Sequence, residues 1–148
     1  MPTATKDGVS LHYEVAGEGE AIVFVTDVGF GAWSWGWQHA AVAGPHATVT
    51  YDHRGTGRSD APEGPYSMGT LCRDLDAVLR DAGVRRAHLV GLGLGGMVAL
   101  RYAREHGARS LTLAGTAASG DRVDPDALDA MAEGAEPLFS AAFRDTPP

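Results

Sequence analysis

Apolar positions along this chain follow two rhythms. Val9, Leu11, Tyr13 and Val15 alternate with polar neighbours, the two-residue period of a half-buried strand, and Gly17-Glu18-Gly19 ends it. Ala21-Ile22-Val23-Phe24-Val25 is continuously apolar and rich in β-branched residues, which predicts a strand buried on both faces. Residues 47–51 and 109–115 read as further short strands. Met68, Leu71, Cys72, Leu75, Val78, Leu79 and Ala82 recur at steps of three and four. That spacing predicts an amphipathic helix, with Ser67 as its N-cap and Gly83 as its stop. Leu89-Val90 then leads into Gly91-Leu92-Gly93-Leu94-Gly95-Gly96, and a helical pattern follows as far as Gly107. The layout is strand, sharp turn, helix.

The succession strand, helix, strand, helix, strand predicts an α/β fold with a mostly parallel sheet and flanking helices. Residues 1–120 read as its core. Asp124-Pro125 opens a further helical segment over residues 121–148, in which Leu138, Phe139, Ala142 and Phe143 supply an apolar face. The 148 residues suffice for one domain with a real core, and 44% apolar with 21% charged residues is ordinary for a globular chain.

Charge and cysteine content narrow the function classes. The formal net charge is −7, with a single lysine, Lys6, and no basic block. This argues against a nucleic-acid surface or an anionic membrane surface. The acidic bias fits a salt-rich cytoplasm and a GC-rich genome equally. One cysteine, Cys72, excludes an internal disulfide and a cysteine-rich metal site, and no metal or cofactor is expected. No apolar run reaches membrane-spanning length, and the first residues lack the apolar core of a signal peptide. The expected location is cytoplasmic. Three tryptophans, Trp33, Trp35 and Trp37, bring a large apolar area that is expected in the core, with pocket lining as the alternative.

Four segments, in order, carry a family resemblance. They are residues 22–25 with the loop to Trp35, Asp52-His53-Arg54-Gly55-Thr56-Gly57-Arg58-Ser59-Asp60, the stretch His88 to Gly96, and residues 111–115. Together they resemble the α/β-hydrolase superfamily over about residues 8–120, closest to small esterases, enol-lactonases and cofactor-free haloperoxidases. Residues 52–60 match its D-x-R-G-x-G-x-S loop, and Gly91 to Gly95 its G-x-S-x-G nucleophile elbow. The resemblance implies an oxyanion hole made by the backbone N–H groups of Val28 and Leu94. It also points to a pocket for a small-molecule ligand or substrate near Thr26, Asp27, Trp33, Trp35 and Leu92.

Three departures bear on activity. Gly93 stands at the elbow tip and brings no nucleophile. Thr26-Asp27 replaces the family's His-Gly pair, so an ionised Asp27 would oppose negative charge in the hole. The expected sheet is cut short before the last strands, and no histidine follows His106. A homo-oligomer or a complementing chain would then complete it, with edge pairing at residues 109–115.

Other candidates have plainer readings beside the functional one. Asp27 is a turn former or a general base. Asp121 is a loop charge or an acid. His88 is a packed structural histidine. His53 is solvated or hydrogen-bonded in its loop, and Cys72 belongs to the core. A dinucleotide-binding reading of the glycine cluster fails, because the G-x-G-x-x-G spacing and its ribose-binding acid are missing. The chain therefore reads as a relative of small-molecule ester or lactone hydrolases without serine-hydrolase activity on its own. The alternatives are a non-catalytic ligand-binding or interaction module and a fragment of a longer hydrolase.

Overall fold

The computed structural model describes residues 2–118. The expectations for Asp121, for the segment 121–148 and for its apolar face lie outside the described residues. Six strands, β1 (Thr3–Lys6), β2 (Val9–Ala16), β3 (Glu20–Val25), β4 (His46–Tyr51), β5 (Ala87–Leu92) and β6 (Ser110–Ala114), form one sheet in the order β1-β2-β4-β3-β5-β6. β4, β3, β5 and β6 run parallel, while β1–β2 and β2–β4 are antiparallel.

The sheet centre follows from hydrophobicity. β3 carries the continuous apolar run and sits between β4 and β5, where Val23, Phe24 and Val25 are all buried. A strand with neighbours on both sides and layers on both faces keeps apolar side chains at every position. β1 is absent from the sequence pattern, because only Ala4 in it is buried and its pairing with β2 defines it. Residues 32–42 also form helical structure that the pattern does not announce. A 3₁₀ turn spans Ala32–Trp35, and α1 spans Gly36–Val42 with no buried residue.

Helix α2 (Met68–Asp81) starts where expected: the Ser67 hydroxyl accepts from the Thr70 N–H at 3.1 Å. Its buried face is Leu71, Cys72, Leu75, Val78 and Leu79, as the spacing predicts. Burying each large aliphatic side chain contributes about 1.5–3 kcal/mol. Asp74 lies on the same face, fully buried, and the Arg54 guanidinium donates two 2.6 Å bonds to its carboxylate. Helix α3 (Leu94–His106) follows β5 after one residue, Gly93. It packs against β5, β6, β3 and α2.

The tryptophans divide. Trp35 is in the core against Phe24, with ring centroids 5.0 Å apart. Trp33 and Trp37 are 66% and 89% exposed, which corrects the expectation that all three are core. Among the described residues no helix is long and apolar enough to cross a membrane.

Candidate active site

The site is the junction of β5 and α3. Gly93 has φ 56° and ψ −121°, a combination that L side chains adopt only under strain. The turn is held from behind by β6 and the residues after it. The Gly93 N–H donates to the Ala114 carbonyl at 3.0 Å, and the Thr116 hydroxyl donates to the Gly93 carbonyl at 2.6 Å. Gly95 lets the helix start lie directly on the end of β3, since a Cβ there would overlap the Val25 and Thr26 carbonyls. The first turn of α3 is thereby brought next to the loop that leaves β3.

That loop begins with Thr26 and Asp27. Asp27 does form a turn, accepting from the Phe30 N–H at 3.3 Å through its backbone carbonyl. Its side chain does more. Oδ1 accepts from the Val28 N–H at 2.7 Å and from the Leu94 N–H at 2.8 Å. One donor comes from the β3 loop and the other from the N-terminus of α3, and both meet on one carboxylate oxygen. A helix N-terminus adds favourable partial charge for an anion there. A Cβ built on Gly93 would overlap this carboxylate.

Of the residues singled out in the sequence, Asp27, Val28, Gly93 and Leu94 are thus in direct contact. Leu92 is half-buried as the last residue of β5, and Thr26 is fully buried. Thr26 Oγ1 has no hydrogen-bond partner among the described residues. Trp35 packs on Phe24 in the core, and Trp33 stands at the surface against Phe30, ring centroids 5.9 Å apart.

The loop at residues 52–60 proves to be scaffold for this corner. Asp52 is buried and accepts from the Ala32 N–H at 2.6 Å and the Arg58 N–H at 2.8 Å. Gly57 leaves room for that carboxylate, which a Cβ there would overlap. The Ser59 hydroxyl donates to the Asp52 carbonyl at 2.6 Å and accepts from the His12 N–H at 2.9 Å, tying the loop to β2. His53 is fully buried rather than solvated, with Nε2 donating to the Thr26 carbonyl at 3.1 Å. Burial pulls its pKa down to about 4, although the Thr26 bond and the Asp52 charge favour the protonated ring.

His88 stands on β5 in a structural setting. It is half-buried, with Nδ1 2.7 Å from the Ser110 hydroxyl and Nε2 3.6 Å from Glu20. Cys72 is core, and burial raises its thiol to about 11. Its sulfur lies 3.8 Å from Glu105, which with His106 forms a cluster of ligand-type atoms within 4.8 Å. The set suits a cation poorly: the thiol stays protonated, and the Arg101 guanidinium already donates to Glu105 at 2.8 Å.

The seating of Asp27 and the anchoring by Thr116 escape the sequence. Thr116 lies outside every matched motif. For Asp27 the signal is a coincidence of two departures, a glycine at the tip and an acid at position 27, whose spatial contact only the fold supplies.

A family model described as the alpha/beta hydrolase fold matches residues 23–147. The chain belongs to this family. RutD of Azorhizobium caulinodans, a protein named for carbamate hydrolysis, is 40% identical over 115 residues, which are 76% of this chain and 43% of that protein. Among solved structures, Est816, described as an N-acyl homoserine lactone degrading enzyme, superposes with a TM-score of 0.79 at 32% identity, over 91% of this chain and 54% of its own. The enol-lactonase of Burkholderia xenovorans LB400 gives a TM-score of 0.75 at 29% identity, over 92% of this chain and 58% of its own. The chain spans less than half the length of the curated relatives it matches and little more than half of these two structures.

Proposed function

We propose that this chain is a small-molecule-binding member of the hydrolase family, akin to its ester, lactone and carbamate-hydrolase relatives, whose elbow forms no acyl-enzyme. The observation that carries this reading is Gly93 at the strained tip of the turn. A serine hydrolase needs a hydroxyl or thiol there, activated by a neighbouring base. Glycine offers neither. The kinship with lactone- and carbamate-directed relatives supports a small carbonyl compound as ligand, and the N–H groups of Val28 and Leu94 are its natural oxyanion donors.

A serine-directed fluorophosphonate probe tests this directly. The expected result is no adduct on any peptide containing residues 87–106, and no turnover of aryl esters or of small lactones by the purified chain. A covalent adduct within that peptide together with ester turnover overturns the reading.

A further inference from the structure

One group at the elbow does work that the absence of a nucleophile leaves unexplained. Asp27 Oδ1 holds both donors that would receive an oxyanion. The same carboxylate occupies the space that a side chain on residue 93 would need. Two positions far apart in sequence are therefore sterically matched: the Asp27 carboxylate fits because residue 93 carries no side chain. The seat is also a carboxylate seat by demonstration, because it is filled by one.

We propose that Asp27 is a built-in occupant of the elbow: its carboxylate fills the two-donor hole and the space of the elbow side chain, and a small carboxylate ligand enters only when it swings out. The inference rests on the reading above in one respect, the lack of a side chain at the elbow tip. Charge and space both enforce closure. A second anion on the same two N–H groups would meet Oδ1 in contact and a like charge with it. The exit is short. Asp27 is half-buried, and Oδ2 has no hydrogen-bond partner among the described residues. Rotation about its side-chain bonds therefore breaks the two Oδ1 bonds and no other. The Leu94 and Val28 N–H groups then stand unpaired, ready for another acceptor.

The test follows the backbone amides of Leu94 and Val28 by NMR in the ¹⁵N-labelled full chain during titration with acetate, with acetamide as the neutral control. In the wild type, acetate is expected to move both resonances only at concentrations far above those that saturate Asp27→Ala, because the ligand must first displace the Asp27 carboxylate. In Asp27→Ala both are expected to shift saturably with acetate and not with acetamide. Asp27→Asn keeps a carbonyl oxygen for the same two donors and is expected to remain closed to acetate. Acetate binding at these two amides as tight in the wild type as in Asp27→Ala overturns the proposal. So does an Asp27→Ala chain, folded by circular dichroism, whose two amides ignore acetate. The steric half is read separately from urea midpoints: Gly93→Ser is expected to lower the midpoint less in the Asp27→Ala background than in the wild type. Equal losses overturn it. Fluorophosphonate labelling of the elbow would defeat the functional reading alone, since the acetate titration reports on Asp27 whatever the chemistry of the site.

Discussion

Gly93 concentrates the sequence-to-structure argument in one residue. Its φ of 56° lies in the left-handed region that glycine enters without the cost of a Cβ. Gly93→Ser must hold an L side chain in that conformation and displace the Asp27 carboxylate. Strain of this kind costs about 1–3 kcal/mol. Urea unfolding is expected to show a loss in that range, and ester assays no strong gain, because the hydroxyl would share its space with a carboxylate. A variant as stable as the wild type would mean that the elbow is not strained. Asp52 makes a second prediction at this scale. Its carboxylate is the acceptor for two backbone N–H groups, Ala32 and Arg58. Each buried donor left without a partner costs about 1–3 kcal/mol. Asp52→Ala is expected to cost more than that for Ala32 alone, with Arg58 adding less because it is exposed. Hydrogen exchange at the Ala32 amide is expected to rise with it.

At the scale of elements, what could be read in advance depends on whether a segment carries its own reason for its structure. β3 does, because an unbroken apolar run can only be satisfied in the middle of a sheet, and α2 does, because its cap, face and stop are local. β1 does not: Thr3–Lys6 is extended because β2 offers it a ladder. Nor does α1, which buries none of its residues, so composition around the three indoles suggests core where only Trp35 enters it. The D-x-R-G-x-G-x-S loop is legible as a pattern, but its logic is tertiary. Arg54 reaches Asp74 on α2, and Asp74 sits on a face that periodicity reserves for apolar groups. The hydrogen bonds to Asp74 hold the guanidinium above its usual pKa. Breaking such a buried pair by removing one partner costs about 3–5 kcal/mol. Asp74→Ala is expected to lower stability on that scale. Replacing both partners, Arg54→Met with Asp74→Leu, is expected to recover much of the loss, because no unpaired charge remains. Removal of the Ser67 cap by Ser67→Ala is the smaller test, about 1 kcal/mol, read from the same unfolding curves.

For the whole molecule, the corner where β3, β4, β5 and α3 meet unites fold stability and the candidate site through His53. The ring is fully buried beside Tyr51, 4.9 Å between centroids, and bonds to the carbonyl of Thr26, the residue before Asp27. Burial lowers its pKa from 6.5 to about 4 in the folded chain. In the unfolded chain the imidazole returns to its ordinary value, so between these two pH values the unfolded state binds the extra proton. Stability must then rise with pH across the window. The contribution is fully present above about pH 6.5, shrinks as pH falls toward 4, and is lost below that value. A shift of this size corresponds to about 3 kcal/mol. Urea midpoints measured from pH 7.5 to 4.5, values chosen to bracket about the ordinary histidine range, are expected to fall steadily on the acid side. His53→Gln keeps a donor for the Thr26 carbonyl and removes the titration, so the slope should flatten across this window even if the variant is less stable throughout. An unchanged slope would place the acid sensitivity outside this imidazole. A flattened slope would tie global acid stability to the strand end that presents Asp27 to the elbow.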